Sequence, residues 1–164
     1  MSAQECFGSE EELAQVLCKP RSKLWKIEQG LEPWIREFPV WHGERIDLLC
    51  RSARGDLVAV ELKAKKADHR AFGQMLIYLL YLKSPDFRVM FTKKSGENLE
   101  ARGVILAHDI GQDLRWLVAE YGQHLPRIDL KEYHRTADDI SIEDVLPQAP
   151  KRIRSRFKGP LRLV

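Results

Sequence analysis

Long apolar runs are missing from this 164-residue chain: none approaches a membrane span, and the N-terminus lacks the basic-then-apolar pattern of a secretory signal. Cysteine is scarce too. Cys6, Cys18 and Cys50 are odd in number and show no CxxC spacing, so they read as reduced cytoplasmic thiols, neither a zinc nor an iron–sulfur motif. The five histidines are scattered without ligand spacing, and no repeat or internal boundary divides the chain. Acidic residues are absent from the last 14 positions, KRIRSRFKGPLRLV, which carry six Lys or Arg. The residues before Lys151 hold 21 basic and 24 acidic side chains, so the overall +3 hides a body at −3. A basic terminal arm suits nucleic-acid phosphates, while a solvated tail is the plainer reading of the same charges. At 44% hydrophobic and 31% charged residues, what remains is a soluble, cytoplasmic globular protein with one domain over residues 1–150 and a separable tail over 151–164.

What is present centres on Arg45 to Lys63, RIDLLCRSARGDLVAVELK, which reads as two strands joined by the polar turn Ser52–Asp56. Side chains alternate along a strand, so Glu61 and Lys63 project together while Val60 and Leu62 point into a core. Hairpin pairing through that turn brings Asp47 to the same end. Two carboxylates and an ammonium then converge at one edge of a sheet, a grouping suited to a metal ion and a phosphate.

The flanking chain supplies a scaffold. Ser9 followed by Glu10, Glu11 and Glu12 is a helix N-cap with acids in the first turn; Leu13, Val16 and Leu17 form its buried stripe, and Pro20 ends it. A short helical piece, Leu24 to Gln29, precedes an extended segment, Leu31 to Val40. Ala71 to Leu82 is strongly helical, with Gln74 and Tyr78 four apart on one face and Met75, Leu76, Leu79 and Leu80 turned to the sheet. Beyond it the pattern predicts a strand over Phe87 to Thr92, a loop over Lys93 to Glu97 and a helical stretch ending near Arg102. A strand over Val104 to Ala107, a helix over Ile110 to Tyr121, a strand over Ile128 to Tyr133 and an edge strand over Ile140 to Leu146 follow. Trp34 and Trp41 read as core residues rather than base-stacking platforms, and Trp25 and Trp116 as packing.

Asp47, then Glu61-x-Lys63, then Gln74-x-x-x-Tyr78 stand in an order that resembles the PD-(D/E)xK nuclease superfamily, in its RecB-like branch. Within it the chain is similar to the catalytic domain of NucS-type mismatch and branched-DNA endonucleases, through Gly43–Leu49, Glu61-Leu62-Lys63, Glu28–Leu31 and Arg36–Val40. The resemblance covers roughly residues 9 to 135. Two departures stand out: Ile46 replaces the proline of the motif, and the chain starts at the nuclease domain, without the N-terminal DNA-binding and dimerisation domain of NucS-type enzymes. Mismatch specificity therefore does not carry over directly.

The resemblance implies an α/β fold with a restriction-endonuclease-like core (αβββαβ), a central mixed sheet flanked by helices. It implies a DNA endonuclease dependent on Mg²⁺ or Mn²⁺, acting on single-stranded, flapped or mismatched DNA in repair or related processing. Hard oxygen ligands from Asp47 and Glu61 suit such an ion, with a helix carboxylate, Glu11 or Glu12 and less readily Glu28, completing the set. Lys63 would orient or deprotonate the attacking water and offset charge; Gln74 and Tyr78 would position the lysine or the DNA backbone. Lys65, Lys66 and Arg70 lie at the mouth for flanking phosphates, with His69 nearby, and Lys151, Arg152, Arg154, Arg156 and Lys158 extend the basic surface. Leu161, Leu163 and Val164 resemble terminal peptides that dock on the sliding clamp, with Val164 in place of the usual Phe. Oligomeric state is not encoded legibly in the sequence; double-strand cleavage would need two active sites, which a homodimer would supply. The competing readings are an inactive nucleic-acid-binding module and a regulatory interaction protein on the same fold.

Overall fold

Ser9 accepts a hydrogen bond from the Glu12 N–H at 3.2 Å and starts α1 (Glu10–Cys18), which buries Leu13, Ala14 and Leu17. In the computed structural model, which describes residues 6–19, 22–91, 100–137 and 139–149, this helix covers one face of a six-stranded sheet. The basic arm and the terminal Leu161, Leu163 and Val164 lie outside the described residues, as do Pro20 and the loop over Lys93 to Glu97.

The strands are β1 (Glu32–Pro39), β2 (Arg45–Arg51), β3 (Leu57–Ala67), β4 (Ala101–Ile110), β5 (Ile128–Arg135) and β6 (Ile140–Val145), and they lie in chain order. β1, β2 and β3 pair antiparallel, β3, β4 and β5 pair parallel, and β6 returns antiparallel at the edge. The β2–β3 turn closes through Gly55 N–H to Ser52 O at 2.9 Å, with Gly55 at φ 88°, a conformation that favours glycine. The sheet is therefore mixed and flanked by helices, as the resemblance implied, but β3 is an interior strand. The carboxylates on it sit inside the sheet and not along its lateral edge.

Parallel pairing of β3 with β4 needs a crossover. It contains α2 (His69–Lys83) and α3 (Pro85–Phe91), and α4 (Gln112–Tyr121) follows β4 onto the same face. Ala71, Phe72, Met75, Tyr78, Leu79 and Leu82 bury that side of α2. Close approach to β4 relies on Gly103, where a Cβ would stand 2.4 Å from Met75 Sδ.

Several expectations need correction. Of the strand expected over Phe87 to Thr92, Thr92 lies outside the described residues and Phe87 to Phe91 is helical: Ser84 Oγ accepts from Phe87 N–H at 3.3 Å and Pro85 fits a first helical position, so the apolar run winds into α3. Arg102 does not end a helix but lies in β4, because the parallel ladder starts level with β3 at Leu57↔Ala101. Leu80, expected against the sheet, is 63% exposed, and Trp41, expected in the core, is exposed, as are Trp25 and Trp116. No helix among the described residues is long and apolar enough to cross a membrane.

Tyr133 locks the α1 layer to the far end of β3. Fully buried, its hydroxyl donates to Ala64 O and accepts from Phe7 N–H at 3.2 Å. Tyr133→Phe leaves both backbone groups without that partner and should cost about 1–3 kcal/mol in urea unfolding, with the slope unchanged.

Candidate active site

β2 and β3 stay paired from Arg51↔Leu57 to Leu48↔Val60 and then separate. Beyond that point β2 continues against β1 as far as Arg45↔Pro39, and β3 continues against β4. Alternate N–H groups of a strand face the same neighbour, so those of Leu62 and Ala64 open into the fork. Carboxylates fill it. Asp47 Oδ2 accepts from Leu62 N–H at 2.7 Å, and Glu10 Oε1 accepts from Ala64 N–H at 3.2 Å.

Glu61 lies beside Asp47 and is 1% exposed. Its Oε1 meets Lys63 Nζ at 2.5 Å, and its Oε2 accepts from the Tyr78 hydroxyl at 2.9 Å. Lys63 is the solvent-facing member of that pair, with its side chain 28% exposed against 2% for Glu61. Tyr78 itself is 1% exposed, so its ring belongs to the apolar layer while its hydroxyl reaches the carboxylate. Gln74, one turn earlier, reaches Glu44 Oε2 at 3.5 Å.

Burial is the main cause of the charge behaviour here. It raises the Asp47 carboxyl to about 7, helped by the charge of Glu61 and opposed by the Leu62 N–H and Lys63. Burial also raises Glu61, against the pull of Lys63 and Tyr78. For Lys63, burial lowers the ammonium, but Glu61, Asp47 and Glu10 outweigh it and leave it above its ordinary value. Lys63 is therefore a cation at neutral pH. Its Nζ can donate to and attract a phosphate oxygen.

Asp47, Glu61, Lys63 and Tyr78 thus come together as the spacing suggests. Gln74 shares the rim but contacts Glu44. Glu11 faces away, bonded to Arg36 at 2.7 Å, and Glu12 accepts from Gly8 N–H at 2.9 Å and Arg135 at 3.2 Å. Glu28 pairs with Arg102, level with Val58 on the opposite half of β3. The residue of the acidic triplet that reaches the fork is Glu10. Its signal was in the sequence: Glu10 precedes Leu13, Ala14 and Leu17 by three, four and seven positions, and so shares the buried face of α1. Glu44 had no such signal, because it lies in the turn after Trp41–Gly43. Lys65, Lys66, His69 and Arg70 are exposed; three of them have acidic neighbours, with Lys66 3.9 Å from Asp109, Arg70 3.7 Å from Asp68 and His69 Nδ1 2.8 Å from Asp113.

With this geometry in view, comparison with known proteins gives a consistent answer. The family described as the endonuclease NucS C-terminal domain matches residues 9–145. Endonuclease NucS of Pyrococcus abyssi is 31% identical over 123 residues, which are 74% of this chain and 43% of that protein. The Sulfolobus acidocaldarius NucS is 33% identical over 99 residues, 58% of this chain and 34% of its own length. Among solved structures, a repair endonuclease from Pyrococcus abyssi superposes with a TM-score of 0.57 at 28% identity, covering 79% of this chain and 49% of that one. An EndoMS–dsDNA complex shares the fold with a TM-score of 0.56 at 24% identity, over 80% and 47% of the two chains. The chain spans less than half the length of these relatives. With the match running from α1 through β6, and so across the whole fork, the chain belongs to the family of NucS C-terminal endonuclease domains.

Proposed function

We propose that this chain is the catalytic domain of a metal-dependent endodeoxyribonuclease that hydrolyses phosphodiester bonds in DNA. The observation that supports this most is the buried Asp47–Glu61 pair at the β2–β3 fork with the Lys63 ammonium on its solvent side. The relatives' name, endonuclease NucS, agrees with it. Single-stranded, flapped or mismatched DNA is the substrate class proposed from the same kinship.

The donor set suits Mg²⁺ or Mn²⁺. Asp47 and Glu61 offer hard carboxylate oxygens, and a carboxyl raised to about 7 by burial and a neighbouring charge is one that a cation would return to its ionised form. Glu10, aimed into the fork from α1, takes the third-ligand role expected of Glu11 or Glu12. When bound, the ion would supply Lewis-acid polarisation of the scissile phosphate and a more acidic water. Lys63 orients that water or a phosphate oxygen and offsets the charge that develops on the phosphate. Tyr78 and the Leu62 N–H hold the two carboxylates in place before substrate arrives. Lys65, Lys66 and Arg70 contact flanking phosphates, joined by Lys151, Arg152, Arg154, Arg156 and Lys158; a homodimer and clamp docking through Leu161, Leu163 and Val164 complete the proposal.

The decisive test incubates the protein with mismatched, flapped, single-stranded and perfect duplex DNA in Mn²⁺, in Mg²⁺ and in EDTA. Cleavage that needs the cation and is lost in Glu61→Gln supports the reading. Cleavage unaffected by EDTA, or DNA binding with no cleavage under any condition, would overturn it in favour of another chemistry or a binding module.

Asp47→Asn and Glu61→Gln should each lower the cleavage rate by about 10²–10⁴-fold, and Lys63→Met by about 10²–10³-fold, with circular dichroism unchanged. Glu10→Gln should reduce activity and weaken the response to Mn²⁺, whereas Glu11→Gln and Glu12→Gln should stay near the parent rate. The reverse ranking would restore the original ligand assignment.

In cation-free protein, Asp47 binds its proton more tightly folded than unfolded. Its contribution to stability is therefore present below the unfolded value and is lost as pH rises through the folded value of about 7. Chemical unfolding should show about 2–4 kcal/mol less stability at pH 8 than at pH 5 from this group. Asp47→Asn should flatten that slope, and a slope unchanged by the substitution would place the titration elsewhere.

A further inference from the structure

Away from the fork, β5 and β6 carry a second group of ligating side chains. Register sets Glu132 directly opposite Glu143, and His134, two residues beyond Glu132, shares its face. Like charges opposite one another on antiparallel strands destabilise a sheet. Glu132 Oε1 is met by Ile110 N–H at 2.9 Å and by Arg115 at 3.0 Å, and Glu143 Oε1 lies 2.7 Å from His134 Nε2. His134 Nδ1 is nevertheless buried with no hydrogen-bond partner among the described residues. The nitrogen turned to Glu143 is Nε2, and it is Nε2 that a cation held by that carboxylate would meet. One ligand atom from each of Glu132, His134 and Glu143 lies within 4.8 Å of the other two.

We propose that Glu132, His134 and Glu143 form a binding site for a divalent transition metal, zinc by its ligand chemistry, separate from the Asp47–Glu61 fork. One imidazole and two carboxylates offer zinc three ligands of the types it takes and leave a fourth position open, whereas Mg²⁺ favours all-oxygen surroundings. The movement required is small. Bonds of roughly 2.0–2.2 Å around a tetrahedral ion put the ligand atoms roughly 3.3–3.6 Å apart, so the widest pair closes by at most about 1.5 Å and the Glu143–His134 contact at 2.7 Å opens by under about 1 Å. Both recorded bonds to Glu132 fall on Oε1, so its second oxygen is the one a cation would take without displacing Arg115.

Position sets the role. Lys63, Ala107, Glu132 and Glu143 form one row across the sheet, by strand register. Two strand spacings of about 4.8 Å place Glu132 roughly 10 Å from Lys63. That is too far to share an ion with Asp47 and Glu61, since paired catalytic ions sit about 3.5–4 Å apart. A zinc ion here clamps the edge strand β6 to β5, cancels the two facing carboxylates, and leaves the Ile110 and Arg115 contacts in place.

The test uses the full chain carrying Asp47→Asn and Glu61→Gln, so that the fork contributes no ligands, stripped with EDTA and titrated with zinc sulfate by calorimetry. One equivalent of zinc is expected to bind and to raise the melting temperature. Adding His134→Gln or Glu143→Gln should weaken binding by about 10–100-fold or more and abolish the thermal shift, with circular dichroism confirming the fold. Cobalt substitution should give a visible ligand-field band without thiolate charge transfer, which separates this site from Cys6 and Cys18. No zinc binding by the parent, equal affinity in the Glu143→Gln protein, or a thiolate band would each overturn the assignment.

Discussion

Where β2 leaves β3 beyond Leu48 and Val60, the N–H groups of Leu62 and Ala64 lose the strand that would have paired with them. An unsatisfied buried N–H costs about 1–3 kcal/mol, so the fork is stable only if something else accepts those bonds. Asp47 and Glu10 do so, each through one carboxylate oxygen. The groups best placed for chemistry are thereby also the groups that allow the sheet to split. Their orientation is set by backbone hydrogen bonding before any ligand arrives, which is the preorganisation that electrostatic catalysis requires.

That arrangement has an electrostatic cost. Burial and mutual repulsion raise both Asp47 and Glu61, and a second buried carboxylate would be strongly unfavourable without compensation. Lys63 and Tyr78 offset it from two directions, one across the solvent side and one from within the α2 layer. Glu10 arrives from α1 on the opposite face of the sheet. Both helical layers must therefore be docked for the site to exist, and the Tyr133 bonds to Phe7 and Ala64 tie the α1 layer to the same stretch of β3.

Kinship with NucS C-terminal domains runs over residues 9–145 of this chain and less than half the length of the related proteins. The matched segment contains every element that builds the fork, from α1 to β6. It also contains the β5–β6 group of Glu132, His134 and Glu143, on the same face as Lys63, with Glu132 and Glu143 in its cross-sheet row.

Much of this was legible in the chain because it depends on local periodicity. Alternation along Leu57–Lys63 put Glu61 and Lys63 on one face, the Gly55 turn returned Asp47 beside them, and the four-residue spacing of Gln74 and Tyr78 placed both on one side of α2. Glu10 was legible too, from its offset to Leu13 and Leu17, once helical rotation rather than proximity in sequence is used to choose among three adjacent acids. The Phe87 run misled because alternating apolar residues after a Ser-Pro pair satisfy a short helix packed on Phe38 as well as a strand, and local pattern does not distinguish them. The separation of β2 from β3, the interior position of β3, the pairing of Glu11 with Arg36 and of Glu12 with Arg135, and the meeting of Glu132 with Glu143 were decided by tertiary structure. Each joins residues through register or layer packing between elements distant in the chain. Such contacts depend on how whole strands and helices share a sheet, which the periodicity of a single segment does not encode.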